Sequence, residues 1–448
     1  MRPLAGVRVV GIGAGMAGPL AVRYLGYLGA DAVRVESRRR PDPLRVSRSA
    51  WLPADLDPRV GMDTSPALNA STSDQRSIVL ELDRPGGYEA FRRIVSAADV
   101  FVTNLSTDTV SKLGLAYHDI VRERPDIIYA ASTAFGSSGP YQSFRTWGMN
   151  LCAAAGIEDM VGWPDRDATG ILMSFPDYPS ALLTATTILA ALRRRRQTGQ
   201  GCRIELPQLN VSLNAIGPVL IDAAFEGTAH GRRGNRSAFG APQGVYACRG
   251  DERHVAISAA DELGWISLCT VAGLEGLAAD ARFATAEGRM QHHDELDASL
   301  AAWAAQHTDW EAAALLQESG VAAAPVFDHW DVLGDHQLAS RDYFQLATST
   351  RFGVDIVNRP GVFLPETAEP VTAAAPSMGE HSREILAEWG GLPGEQIDEL
   401  LDEGIAMTAV CPELQLRRPY LDWIGRLVRV PWPTPGPAVA TARAKSGR

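Results

Sequence analysis

Val7-Arg8-Val9-Val10-Gly11-Ile12-Gly13-Ala14-Gly15-Met16-Ala17-Gly18-Pro19 opens the chain with a β-branched run, a glycine-rich turn and a proline suited to a helix's first turn. Apolar Leu20, Tyr24, Leu25 and Leu28 give the following helix one buried face. Gly29 stops that helix, and residues 32–35 form the next strand. The alternation continues through strand candidates at 78–82, 100–103, 127–131 and 203–206, with helical segments between them. This predicts an α/β domain with a largely parallel, Rossmann-like sheet. The turn itself fits G-x-G-x-x-G, and Glu36 ends the second strand about 20 residues later, as in a dinucleotide-binding unit. One reading is therefore an FAD- or NAD-dependent oxidoreductase with pyrophosphate on the helix N-terminus. The other is that small residues simply let a strand and a helix pack closely. Pro19 favours the second, because it removes one amide from that helix end.

At 448 residues the chain is long enough for two or three domains. With 46% hydrophobic and 21% charged residues it reads as globular, which excludes extended disorder and a disulfide-stapled miniprotein. A net charge of −11 argues against a nucleic-acid-coating surface. Of 42 basic residues only Lys112 and Lys445 are lysine, a skew that a GC-rich coding sequence explains. Single arginines therefore carry little meaning, while Lys112 stands out as the one internal lysine. The five cysteines are scattered, with neither a C-x-x-C pair nor metal-ligand spacing, so no metal site is expected. The richest apolar stretch, 181–192, is too short to span a bilayer and is closed by four arginines. Arg23 and Asp31 interrupt any signal-peptide core, so a cytoplasmic protein without membrane contact is expected.

The rhythm changes after Glu226. A glycine- and arginine-rich stretch at 227–241 reads as a crossing into a second domain. A hairpin of 244–248 with 254–258 and a strand at 321–327 follow, with a helix between them that Thr308-Asp309-Trp310-Glu311 starts as a capping box. His292 and His293 read as surface residues at a helix start. After Val430 the Pro-rich tail reads as disordered.

Ordered blocks along most of the chain carry a resemblance. They include residues 4–10, Met16-Ala17-Gly18-Pro19, residues 28–36, Gln75-Arg76-Ser77, residues 98–104 and Lys112-Leu113-Gly114-Leu115. Phe135-Gly136-Ser137-Ser138-Gly139-Pro140-Tyr141, Pro176-Asp177, Thr198-Gly199-Gln200-Gly201 and Gly234-Asn235-Arg236-Ser237 continue the series. Together they resemble class III CoA-transferases, the formyl-CoA:oxalate and crotonobetainyl-CoA:carnitine type, from about residue 4 to 407. The resemblance implies a large domain built from 1–225 and 329–407, a small inserted α+β domain at 226–328, an extra tail at 408–448, and an interlocked homodimer. It implies no tightly bound cofactor, with coenzyme A and acyl-CoA as substrates and a small or medium carboxylic acid as partner.

By the same resemblance, Asp177 is the nucleophile. Read from the residues alone, an aspartate on a stiff Pro176–Pro179 turn before a long helix is either such a nucleophile or only a helix cap. The resemblance places Ala14, Gly15, Met16 and Ala17 against CoA through their backbone, with Asn104 and Leu105 beside them and Leu80 near the adenine. Lys112 matches a basic position facing the phosphates; otherwise it is a solvated helix residue. Arg76 and Arg34 are further phosphate candidates. The chain also departs from the family pattern. Ser37 stands where an arginine is common, so Arg38 is expected to supply that clamp, and Gln75 replaces a lysine. By the same resemblance, the acid-supporting position of oxalate-type enzymes and the catalytic His of acyl-CoA racemases both fall near Met149, where this chain has neither Glu nor His, which weakens the racemase alternative. Near Phe239-Gly240 the three glycines of oxalate enzymes are missing. Phe135, Tyr141, Phe144, Trp147 and Phe175 either line a site for a larger apolar acid or pack in the core.

Overall fold

A computed structural model of the chain describes residues 2–47, 63–171, 173–227, 231–259, 261–350, 353–362 and 373–409. Strand β1 (Arg8–Ile12) lies at the centre of a seven-stranded sheet, where Val9 and Val10 are buried on opposite faces. It pairs in parallel with β2 (Asp31–Glu36) on one side and with β4 (Val100–Thr103) on the other. The sheet continues in parallel to β3 (Arg76–Leu80) beyond β2, and to β5 (Ile128–Ala131) and β6 (Cys202–Glu205) beyond β4. A two-residue strand, Ala406–Met407, closes the β3 edge antiparallel, so the chain's late segment returns to the sheet.

Helices cover both faces. Helix α1 (Ala17–Tyr27) leaves the glycine turn and α2 (Pro85–Ser96) follows β3. Helix α3 (Thr107–Lys112) follows β4, and α4 (Asp177–Thr198) precedes β6. On one face Phe91 and Ile94 of α2 meet Ile78 and Phe101; Phe101 stacks on Tyr129 with ring centres 5.1 Å apart. On the other, Leu20 and Leu25 of α1 and Ala185 and Ile188 of α4 cover Val9, Val102 and Ile128. In a parallel sheet wound this way, the strands' carboxyl ends and the loops leaving them form the edge at which ligands bind.

The chain divides into two compact units. The first is Met1–Ala155, Ile171–Ile221 and the residues from His336 onward; the second is Gly156–Gly170 and Asp222–Asp335. The second unit contains the antiparallel strands β7 (Gln243–Ala247), β8 (His254–Ser258) and β9 (Ala322–Pro325) over a core that includes Trp265, Phe283 and Leu300. The Thr308 capping box forms: Thr308 accepts from the Glu311 amide, and Glu311 accepts from the Thr308 amide at 2.8 Å.

Two expectations need correction. The second unit is wider than 226–328 and takes in 156–170. Arg232 binds the Asp159 carboxylate at 2.9 Å, and the Gly234 amide donates to the Gly162 carbonyl at 2.9 Å. His293 is buried, not on the surface, with its ring 3.6 Å from Asp297 one helical turn on; burial holds it below the usual imidazole range, with Asp297 opposing. The hairpin β10 (Phe344–Ser349) and β11 (Gly353–Asn358) was not read from the sequence. Residues 410–448 of the expected tail lie outside the described residues.

Candidate active site

The glycine turn is shaped by one asparagine. A Cβ on Gly13 would lie 2.1 Å from the Asn104 amide oxygen, and one on Gly18 would lie 2.7 Å from it, so neither position admits a side chain. Asn104 uses that closeness fully. Its oxygen accepts from the Ala14 amide at 3.1 Å and its Nδ2 donates to the Ala14 carbonyl at 2.8 Å, locking β4 to the turn. The next amide, Gly15, donates to the Asp42 carboxylate at 2.9 Å, and the other oxygen of Asp42 accepts from the Leu44 amide at 2.7 Å. Two successive amides that a pyrophosphate would need are thus satisfied within the chain, one of them by an anion. This geometry does not fit the dinucleotide reading.

Glu36, the acid that reading would give to a ribose, is also committed elsewhere. It is buried and ion-paired to Arg34 at 3.1 Å and to Arg45 at 2.6 Å, and it accepts from Ser77 Oγ at 2.7 Å. Burial opposes its ionisation, but the two guanidiniums and these hydrogen bonds outweigh burial and lower its pKa to about 2. Arg34 pairs with Asp42 as well, and Arg45 reaches Asp63 at 2.8 Å. The cluster forms a rigid floor under the turn. Asp42 and Arg45 were missed in the sequence reading, although Asp42-Pro43 is a legible helix-cap signal.

Above this floor a cleft of about 550 Å³ opens at the carboxyl ends of the strands. Of the residues expected at a CoA site, Ala14, Leu80, Leu105 and Lys112 line it. Gly15, Met16 and Ala17 continue the turn into α1, and Asn104 stands behind it as a clamp on Ala14. Lys112 ends α3, where a cation suits the helix dipole, and makes no ion pair among the described residues. Arg38 is a correction: it does not line the cleft, whereas Arg39 and Arg40 do, Arg39 being ion-paired with Asp83 at 2.7 Å. Glu81 sets this arrangement by accepting from Ser37 Oγ at 2.7 Å and from the Arg38 and Arg39 amides at 2.9 and 3.2 Å.

Arg76 is a second correction. As the first residue of β3 it lies four residues, roughly 13 Å at ~3.3 Å per residue, from Leu80 and at the opposite end of the sheet. There it binds Asp31 at 2.7 Å and Glu388 at 2.8 Å. Arg34 reaches the cleft wall, but its charge is spent on Glu36 and Asp42.

Asp177 is the first residue of α4, at that helix's end toward the strands' carboxyl edge. Its amide donates to the Ser174 carbonyl at 3.1 Å. Burial raises its pKa from 3.8 to about 6; a hydrogen bond from the Ser174 side chain opposes this, and no cation contributes. Ser174 in turn packs on Gly148, where a Cβ would come 2.9 Å from the Ser174 Cα. Trp147, one residue earlier, lies over the glycine turn, 3.8 Å from where a Gly15 Cβ would stand. The turn and the carboxylate are therefore linked within one unit through Trp147, Gly148 and Ser174. Phe135, Tyr141 and Phe144 contact one another just before this link. Phe175 lies partly buried between Ser174 and Pro176. Among the described residues there is no cluster of metal-ligating side chains, and no helix is long and apolar enough to cross a membrane.

An arrangement of this kind can hold an anionic, partly apolar ligand in the cleft and present a readily protonated, readily ionised carboxylate nearby. The chain is 30% identical over 432 residues to a probable CoA-transferase of Mycobacterium tuberculosis, covering 91% of this chain and 51% of the relative. It therefore spans about half that relative's length. It is 27% identical to a succinyl-CoA–D-citramalate CoA-transferase of Chloroflexus aurantiacus, covering 88% and 96% of the two chains. To a (R)-2-hydroxy-4-methylpentanoate CoA-transferase of Clostridioides difficile it is 25% identical, covering 86% and 95%. A crystal structure of a CaiB/BaiF family protein from Brucella suis superposes with a TM-score of 0.76 at 28% identity, covering 86% of this chain and 99% of that one. Residues 4–382 match the profile of CoA-transferase family III. The chain belongs to CoA-transferase family III, a family of enzymes.

Proposed function

We propose that the protein moves CoA from an acyl-CoA donor to a carboxylic acid through Asp177. The observation that carries this is the partly buried Asp177 carboxylate at the start of α4, its pKa pushed up to about 6 by burial, linked through Ser174, Gly148 and Trp147 to the turn beside a cleft that Lys112 and Arg40 line. At pH 7 most of it is ionised and nucleophilic, while its poor solvation leaves it more reactive than a surface carboxylate.

Asp177 attacks the donor's thioester carbon and expels CoA thiolate, leaving a mixed anhydride. The thiolate then attacks the Asp177 carbonyl and releases the donor acid, so CoA is held as an aspartyl thioester. The acceptor carboxylate attacks that thioester, and the freed thiolate returns to the acceptor's acyl carbon, regenerating Asp177. No proton is transferred in any of these steps, which suits a carboxylate with no His or Lys paired to it among the described residues.

In this reading the backbone of Ala14, Gly15, Met16 and Ala17 guides the pantetheine arm, Leu80 and Leu105 give apolar contact, and Lys112 with Arg40 meets the phosphates. Asn104 positions the turn and does not contact CoA through its side chain. Met149 has no ionisable group, so a second base for racemisation is missing at that position. Exposed Leu182 and Leu183 on α4 support pairing with a second copy, as in an interlocked homodimer.

Incubation with hydroxylamine and, in turn, phenylacetyl-CoA, isovaleryl-CoA, succinyl-CoA and glutaryl-CoA tests the proposal. A hydroxamate on Asp177, found by peptide mass with at least one of them, is expected; no adduct in the native protein from any of the four, or full transferase activity in Asp177→Ala, would overturn it. A donor and acceptor screen by mass spectrometry then identifies the acids.

A further inference from the structure

The segment leading into Gly148 exposes far more aromatic surface than a folded unit leaves without purpose. Tyr141 is 52% exposed, Phe144 55% and Trp147 62%, although Tyr141 and Phe144 hold each other with ring centres 4.7 Å apart. Phe135 braces both rings edge-on, at 5.9 and 6.0 Å, so the patch is a preformed wall and not a set of loose side chains. Trp147 ties this wall to the reacting end, standing over the glycine turn while its neighbour Gly148 packs on Ser174, the residue that hydrogen-bonds Asp177.

What the site lacks is equally specific. Among the described residues no arginine, lysine or histidine is ion-paired with Asp177, and Ser174 is the side chain that hydrogen-bonds it. The second carboxylate of a dicarboxylic acid, brought this close, would be desolvated without a partner, which is costly. The segment's own cation, Arg145, is exposed and has no ion pair among the described residues, but it is not among the groups that act on Asp177. We infer that the acid handled at Asp177 is a monocarboxylic acid with an apolar body, aromatic or branched aliphatic, seated against Phe144 and Trp147. This inference rests on Asp177 being the transfer nucleophile.

The test compares initial rates of hydroxylamine-trapped acyl transfer from phenylacetyl-CoA, isovaleryl-CoA, succinyl-CoA and glutaryl-CoA. The native protein is expected to favour the two apolar thioesters at least tenfold in kcat/KM. Phe144→Ala and Trp147→Ala should reduce that preference below threefold, and Phe144→Arg should reverse it. The milder Phe144→Leu and Trp147→Phe should shift it the same way if the alanine variants fold poorly. A native preference for succinyl-CoA or glutaryl-CoA that Arg145→Ala abolishes would overturn the inference while leaving Asp177 as nucleophile. So would variants that alter the sedimentation coefficient but not the preference, since the wall would then belong to a contact between copies. If no thioester leaves an acyl group on Asp177, the reading of the nucleophile fails and the inference falls with it.

Discussion

Replacing Asp177, the proposed nucleophile, should make the protein more stable, and the gain should depend on pH in a defined way. Asp177 has a folded-state pKa of about 6 against an ordinary 3.8, raised by burial. The native fold therefore favours its protonated form, and keeping it ionised at pH 8 costs folding free energy. At ~1.4 kcal/mol per pH unit the rise corresponds to roughly 3 kcal/mol, which partial solvent screening reduces to about 1–2 kcal/mol. Asp177→Asn removes this cost and keeps a polar group for Ser174. It is expected to unfold about 2–8 °C higher at pH 8, using ~2–4 °C per kcal/mol for a unit of this size. Below pH 6 the native Asp177 protonates in the fold, so the difference should shrink, and below about 3.8 it should vanish because both states are then protonated. Melting curves of both proteins by circular dichroism from pH 8 to pH 4 measure this. An Asn variant that is less stable at pH 8, or an offset that does not change with pH, would refute the desolvation argument. In the native enzyme the same pKa leaves about one tenth of Asp177 ionised at pH 5, so single-turnover acylation should fall about tenfold from pH 7 to pH 5.

Asn104→Ala breaks both bonds to Ala14 and leaves a turn amide unpaired; a loss of about 1–3 kcal/mol by denaturant melts and a raised KM for acyl-CoA are expected. Lys112→Ala should raise that KM several-fold, leave kcat unchanged and flatten its salt dependence, whereas Arg76→Ala, paired at the far end of β3, should leave KM alone. Arg45→Ala strands Glu36 and Asp63 without their shared cation; urea titration should show a loss of about 3–5 kcal/mol.

The sheet was legible because its signals are local. β-branched runs at regular intervals, a proline opening a helix and a glycine closing one all describe nearest neighbours along the chain. The edge strand Ala406–Met407 was not, because two residues carry no period and their place depends on β3, more than 300 residues away in sequence. The site divides in the same way. Asp177, Leu80 and Lys112, as proposed site residues, are nameable from ordered blocks, since each lies at the end of a regular element. Arg39 and Arg40, not Arg38, line the cleft, because backbone amides bonded to Glu81 set how the chain leaves β2. Arg76 stays away from the cleft for a simpler reason: a strand has two ends, and a basic residue at its start faces away from the edge where ligands bind.

The glycine turn shows why the most conspicuous motif was the least decisive. G-x-G-x-x-G records only that three Cβ atoms are unwelcome between a strand and a helix. It does not say what takes their room. In a nucleotide cradle the visitor is a phosphate, and the amides must be left free for it. Here the visitor is Asn104, whose amide fills the space that Gly13 and Gly18 leave, while Asp42 occupies the amide of Gly15. The two cases differ in residues about 90 and 27 positions from the turn, at Asn104 and Asp42. Substituting those two residues separates the readings. Asn104→Gly combined with Asp42→Ser would free both amides and remove the local negative charge. If the turn were a dormant dinucleotide site, that pair should gain measurable binding of ADP. If its glycines serve strand–helix packing, the pair should instead lower the melting temperature and weaken CoA binding with no nucleotide gained, and calorimetry with ADP and CoA distinguishes the two.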